Sequence, residues 1–234
     1  MKKRLIISLI VFIAAVAVLT TLCILVRKNN LDPLGVDVWA RDLAYNTRGE
    51  KGGLNYWFWR IFTEAGDLYV LAVLCVVMLI YTKLDYRFMI FLLGLIIQVF
   101  LNAAFKGVYQ RPRPDAEMWW MVEKSTSFPS GHSTSVGFMC PFIIFLFLIT
   151  EKNKKITIPV VAVFSLIFFI VPISRIVIGV HYFTDCVAGL ALGASIAAVF
   201  MALTTVFIEY NILQKPILPM IFKKKNKEEE IKED

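Results

Sequence analysis

Ser174-Arg175-Ile176-Val177-Ile178-Gly179-Val180-His181-Tyr182-Phe183-Thr184-Asp185 lies between two long apolar runs and holds an arginine, a histidine and an aspartate. Charged groups at the edge of a membrane span are expensive and usually serve a function. If this stretch continues as helix, His181 and Asp185, four residues apart, share a face. The carboxylate then accepts a hydrogen bond from one imidazole nitrogen and leaves the other basic. That prepares a histidine to act as a nucleophile or base. Arg175, six residues before His181, offers a guanidinium fork suited to phosphate oxygens. Taken alone, the triplet fits a structural ion pair at a helix end equally well. The runs around it and two further stretches decide between the two.

The flanking runs read as membrane spans, Ile156 to Ile178 before the stretch and Cys186 to Ile208 after it. Pro172 is expected to bend the first. Gly189, Ala191, Gly193, Ala194 and Ala197 let the second approach a neighbour closely. Further out lie Ser135 to Thr150, Phe88 to Phe105 and Leu68 to Tyr81. The last is short for a ~20-residue crossing and must borrow from the Glu64–Asp67 edge. Gln98 and Asn102 share a face that should point into the bundle. Met1-Lys2-Lys3-Arg4 precedes an apolar run of 22 residues, Leu5 to Val26. That exceeds the ~7–15 residues of a signal-peptide core and no small-x-small site follows, so it reads as a retained first span. Val36 to Ala44 suggests a short amphipathic helix that Gly52-Gly53 breaks. Asn55 to Phe62 suggests a segment lying in the interface, where an ordinary aromatic belt is favoured over a lid.

The expected fold is therefore all-α, a polytopic bundle of six transmembrane helices with a short interfacial helical segment after the first span. It occupies residues 1–222, and 223–234 form a charged, flexible tail. Composition agrees, since 58% of the residues are hydrophobic, above the ~45–50% of soluble domains. The net charge of +7 is spread over loops between apolar runs, which points to a bilayer and away from nucleic acid. Cys23, Cys75, Cys140 and Cys186 form no CxxC pair and read as packing residues. Six spans put both termini on one side. That side carries 14 Lys and Arg against 11 on the other, so the termini are expected in the cytoplasm of a plasma membrane.

The two further stretches fall at the same, outer face. Lys106 and Arg113 are seven apart, near two helical turns, although Arg111-Pro112-Arg113-Pro114 should end the helix between them. Basic residues there also serve as snorkelling anchors. Ser127-Phe128-Pro129-Ser130-Gly131-His132-Ser133-Thr134 is a tight turn opening a helix. Its backbone N–H groups, the Ser130 hydroxyl and the bare backbone of Gly131 suit an oxyanion, with His132 at the mouth. A capped turn with an incidental histidine is the bland alternative. It weakens because the chain has two histidines and both fall here. Three cations, an anion-binding turn and two histidines match a phosphoryl group. One histidine can attack phosphorus while the other protonates the leaving oxygen. No Asp/His/Cys cluster has metal-ligand spacing, which implies chemistry without a metal or other cofactor.

These three stretches resemble the motifs of the type 2 phosphatidic acid phosphatase superfamily: K-x6-R-P as Lys106 to Arg113-Pro114, P-S-G-H as Pro129-Ser130-Gly131-His132, and S-R-x5-H-x3-D as Ser174-Arg175 to His181 to Asp185. Arg111-Pro112 offers a rival register, but only Arg113 is seven residues from Lys106. The resemblance implies that His181 attacks phosphorus to form a phosphohistidine and that Asp185 orients it. It implies that His132 protonates the leaving group and then activates water. Lys106, Arg113, Ser130, Gly131 and Arg175 would hold the phosphate oxygens, with no metal. The implied substrates are phosphatidic acid, phosphatidylglycerol phosphate, undecaprenyl diphosphate or lipid A. Relatives that act on soluble phosphate esters keep that alternative open, with a non-catalytic membrane protein further behind. Met118-Trp119-Trp120-Met121 and the aromatic first loop favour a lipid.

Overall fold

The computed structural model describes residues 1–82 and 85–210, with Leu68 described by its backbone only. The charged tail expected at 223–234 and part of the polar turn at Lys83 lie outside the described residues. Among those residues there are eight α-helices: α1 (Lys2–Lys28), α2 (Gly35–Thr47), α3 (Leu54–Glu64), α4 (Leu68–Thr82), α5 (Tyr86–Tyr109), α6 (Gly131–Thr150), α7 (Lys154–Val177) and α8 (Phe183–Glu209). A short 3-10 turn at Ala116–Met118 lies between α5 and α6.

Five of these, α1, α5, α6, α7 and α8, are each long and apolar enough to cross a membrane. A sixth crossing exists only if α3 and α4 are counted together, as a pair bent by 49° at a short break. The sequence placed Asn55 to Phe62 in the interface and let the second span start near Glu64. Asn55 to Phe62 lie in α3, a helix that leads into α4. Alone, the 15 residues of α4 rise only about 22 Å, short of a ~30 Å hydrocarbon core, so α4 needs the residues before it to cross, as its length in the sequence indicates. The amphipathic helix expected near Val36–Ala44 is α2. Helix α7 runs through both Pro159 and Pro172 as one element.

The centre of the bundle is the α6–α8 pair, with α1 against the other side of α8. Three glycines make that approach possible. A Cβ on Gly193 would lie 2.3 Å from the carbonyl oxygen of Thr134, and one on Gly189 would lie 2.5 Å from that of Ser130. From the other side, a Cβ on Gly137 would meet the carbonyl of Leu190 at 2.7 Å. Backbones this close bury the small-residue stripe of α8 against α6. Phe91, Phe138 and Phe142 stack beside it. Gln98 and Asn102 point inward as expected, where Asn102 donates to Thr134 Oγ1 at 2.9 Å and Gln98 to Ser135 Oγ at 3.5 Å.

The Met1 amino group lies 3.9 Å from Glu209 near the end of α8. The start of the chain and the end of the bundle therefore share one end. The ends of α1, α5 and α7 and the starts of α6 and α8 meet at the opposite end, and the motif residues collect there.

Candidate active site

The turn between α7 and α8 sets the site. Helix does not continue through it. α7 ends at Val177, Gly179 takes φ +85°, and α8 starts at Phe183. Only glycine adopts that φ without strain, and a Cβ there would meet the carbonyl of Met118 at 2.4 Å. The shared helical face expected for His181 and Asp185 is therefore replaced by a capped turn. Asp185 is the third residue of α8, and its Oδ2 accepts from the backbone N–H of Tyr182 at 2.9 Å. The same Oδ2 lies 3.5 Å from His181 Nδ1 and accepts from Ser127 Oγ at 2.5 Å. Ser127 Oγ itself lies 3.4 Å from Nδ1.

The other imidazole nitrogen faces a cation. Arg113 places one terminal nitrogen 3.0 Å from His181 Nε2 and donates to the Val180 carbonyl at 2.7 Å. Arginine can only donate, so Nε2 is the acceptor and the proton sits on Nδ1, toward Ser127 and Asp185. Burial pushes the His181 imidazole well below its ordinary value, and Arg113, Arg175, Lys106 and His132 push it the same way. His181 is thus a neutral base aimed at the cationic side of the site.

Lys106 and Arg113 converge, but not along one helix face. α5 ends at Tyr109, and Gln110 takes a left-handed conformation at φ 46°. Lys106 Nζ donates to the Thr126 carbonyl, toward which Arg113 also reaches at 3.5 Å. Arg175 is fully buried. It donates to Thr63 Oγ1 at 3.0 Å and has a terminal nitrogen 3.5 Å from His132 Nε2. Its Nε–H is buried and has no acceptor among the described residues, which leaves a donor free for an oxyanion. Ser130 caps α6 and is fully buried. Its backbone N–H donates to the Asp185 carbonyl at 3.0 Å, which pins the start of α6 to the start of α8. His132 Nε2 lies 3.8 Å from Asp67 at the mouth.

Four residues at this site escaped the sequence reading. Glu123 sits in the cation cradle, where it accepts from Arg175 and lies 3.5 Å from Arg113. Burial alone would raise its carboxyl, but Arg175 and Arg113 hold it below the ordinary range. Arg111, set aside as the rival register, is fully buried and pairs with Asp185 Oδ1 at 2.6 Å and Asp37 Oδ2 at 2.8 Å. Ser127 bridges as described, and Asp37 reaches the site from α2. The repeated Arg-Pro was a usable signal for Arg111. Asp37, 147 residues from its partner Thr184, offered none.

The aromatic first loop divides. Tyr56 and Trp59 pack with Trp119, Trp120 and Met121 around Ile178 and Val180, whereas Trp57, Phe58 and Ile61 stay exposed. Trp120 is buried, and its N–H donates to the Ile178 carbonyl at 2.9 Å.

A helical membrane bundle with paired histidines and a cation cradle at one end defines the class. The PAP2 superfamily matches residues 87–209, over half of the chain and all three motifs, and the chain belongs to that superfamily. It is a multi-pass membrane protein. Phosphatidylglycerophosphatase B of Bacillus subtilis (strain 168) is 35% identical over 97 residues, which cover 40% of this chain and 46% of that protein. The chain thus aligns with under half the length of that curated relative. The crystal structure of a transmembrane PAP2-type phosphatidylglycerolphosphate phosphatase from Bacillus subtilis superposes with a TM-score of 0.71 at 25% identity. That match covers 83% of this chain and 96% of that one. Aquifex aeolicus LpxE shares the fold, with a TM-score of 0.56 at 22% identity over 71% of this chain and 96% of its own.

Proposed function

We propose that this chain is a membrane lipid phosphatase that works through a phosphohistidine on His181, at the outer face of a plasma membrane with both termini in the cytoplasm. The observation that carries the chemistry is the orientation of His181, with Nδ1 toward Ser127 and Asp185 and Nε2 toward Arg113. A phosphate held by Lys106, Arg113, Arg175, Ser130 and the N–H groups at Gly131 would present phosphorus to Nε2. The P–N bond forms as the P–O bond to the lipid breaks. His132, protonated, gives its proton to the leaving oxygen. Neutral His132 then takes a proton from water, whose oxygen attacks phosphorus and breaks the P–N bond. Inorganic phosphate and free His181 result. The cradle offsets charge on the phosphoryl oxygens throughout.

A lipid substrate is favoured by the shape beside the site. A cavity of about 280 Å³ is lined by Asp67, Leu71, Gln98, Val99, Lys106 and His132. It shares Leu71, Gln98 and Val99 with an apolar groove of about 270 Å³ between α4 and α5. A headgroup at Lys106 and His132 would leave its chain in that groove, open to the bilayer. The Bacillus subtilis relative's name, phosphatidylglycerophosphatase B, puts phosphatidylglycerol phosphate first among the candidates.

The test is phosphate release by detergent-purified protein in EDTA, with phosphatidylglycerol phosphate, phosphatidic acid, undecaprenyl diphosphate and glucose 6-phosphate in parallel. Release from a lipid, with EDTA present, is expected. Release from the soluble ester alone rejects the lipid reading, and release that stops in EDTA rejects the metal-free one.

A further inference from the structure

Asp37 belongs to none of the three motifs, and it lies on α2, in the connection after the first span. It is nonetheless fully buried at the site. Its Oδ1 accepts from the Thr184 N–H at 2.8 Å. Its Oδ2 accepts from Thr184 Oγ1 at 2.9 Å, the Leu34 N–H at 3.0 Å and Arg111 at 2.8 Å. One carboxylate thereby caps the starts of both α2 and α8. Arg111 spends its other bonds on Asp185 and Thr184 and on the Leu31 and Asp32 carbonyls, with its guanidinium 4.5 Å from the Tyr182 ring centre.

Charge accounting separates this cluster from a simple brace. Asp185 alone against Arg111 would be neutral, and His181 would face no net negative charge on that side. Asp37 restores it, since two carboxylates and one guanidinium sum to one negative charge. The groups that act most strongly on His181 from the other side are cations and a histidine: Lys106 from α5, Arg113 from the following loop, His132 from α6 and Arg175 from α7. The carboxylate that sits among them, Glu123, is held by Arg113 and Arg175. Holding three buried ions together is costly, and well-packed apolar residues commonly brace as well. The retained charge points to a use.

We propose that Asp37 and Arg111 are positioning residues for His181, with Asp37 offsetting Arg111 so that Asp185 stays negative toward Nδ1. This rests on the reading of His181 as the nucleophile. Asp185 has Oδ1 filled by Arg111 and Oδ2 shared by Ser127 and Tyr182 N–H. How strongly it draws the Nδ1 proton then depends on how much of the Arg111 charge Asp37 takes up.

The experiment combines turnover with imidazole NMR on protein labelled at its two histidines, with His132→Gln assigning the signals. The variants are Asp37→Asn, Arg111→Gln and the double variant. Net charge near Nδ1 becomes zero in the first, doubly negative in the second, and returns to the wild-type value in the third. The Nδ1–H signal is expected to move toward a weaker hydrogen bond in Asp37→Asn and a stronger one in Arg111→Gln, and to return toward wild type in the double variant. In Asp37→Asn kcat should fall roughly tenfold, about 1.4 kcal/mol, with KM within about twofold. The double variant should regain most of that loss. A structural brace predicts the reverse, with every variant worse and the double variant worst. Both single variants shifting in one direction, or neither shifting, overturns the proposal. Either single variant compared with wild type fixes the sign, so loss of one to misfolding leaves the test standing. The NMR needs no substrate, so absence of lipid turnover in wild type counts against the proposed function and not against this assignment.

Discussion

Gly193→Ala tests whether packing in the middle of the bundle sets the chemistry at its end. The added Cβ would lie 2.3 Å from the Thr134 carbonyl oxygen, 2.5 Å from Phe138 N and 2.6 Å from the carbonyl carbon of Gly137. All three are backbone atoms of α6 and cannot rotate away. Ordinary contact begins at 3.4 Å, so α6 and α8 must part by about 1.1 Å, the difference between 3.4 and 2.3 Å. Overpacking of this kind costs about 1–3 kcal/mol. It also pulls Ser130 and His132, carried by the start of α6, away from His181 and Asp185 at the start of α8. The Ser130 N–H to Asp185 carbonyl bond of 3.0 Å crosses that seam. A misplacement near 1 Å costs on the order of 100-fold in rate. Phosphate release and thermal unfolding in detergent should therefore both fall. Gly131→Ala is the control, because its Cβ would meet only Asn102 Oδ1, at an ordinary 3.5 Å. It should unfold as wild type does. Gly193→Ala with wild-type turnover and an unchanged unfolding midpoint would refute the argument.

Because His181 is held well below its ordinary value by burial and the surrounding cations, it stays neutral as pH falls through 6.5. The acid limb of kcat/KM should lie well below that pH, and Arg113→Gln, by removing a cation, should move it upward; a wild-type limb centred at 6.5 or above contradicts this. His181→Ala should abolish phosphate release. Asp185→Asn should lower it by roughly 100-fold or more with the protein still folded, since three donors converge on that carboxylate. Glu123→Gln removes an acid that competes for Arg113 and Arg175, so inhibition by added inorganic phosphate should tighten roughly tenfold; weaker inhibition would show that Glu123 assists binding instead.

The spans and the motif residues were legible because each follows from a local property. Apolar length marks α1, α5, α6, α7 and α8, and the small residues of α8 marked the face that meets α6. The α3–α4 pair carries a weaker signal, since its apolar content is split into two short helices, neither long enough to cross alone. The His181–Asp185 spacing gave the right pair for the wrong reason, a continuous helix in place of the Gly179 turn and the start of α8. The partners of buried charges are a different kind of information. Asp37, Ser127 and Glu123 meet the motif residues only because α2 and the 110–130 loop fold over the end of the bundle, and no local pattern records that meeting.

Arg111 and Arg113 show why the register was hard to read. A helical count from Lys106 selects Arg113, yet the helix stops at Gln110, so the count describes a geometry the chain does not adopt. Each arginine precedes a proline, and the residue before proline is driven to an extended backbone. Two residues of such chain advance about 6–7 Å. That is close to the length of a histidine and carboxylate placed end to end, and the two guanidiniums grip the two ends. Arg113 meets His181 Nε2 at 3.0 Å, and Arg111 meets Asp185 Oδ1 at 2.6 Å. The arginines are therefore successive readers of one dyad and not rivals for one role. Arg113 faces the side that receives phosphate, and its exchange for lysine should raise KM. Arg111 is sealed behind Asp185 at full burial, so its exchange should act on kcat and leave KM nearly unchanged. An Arg111→Lys variant whose defect appears mainly in KM would place Arg111 in the phosphate cradle after all and restore the rival register.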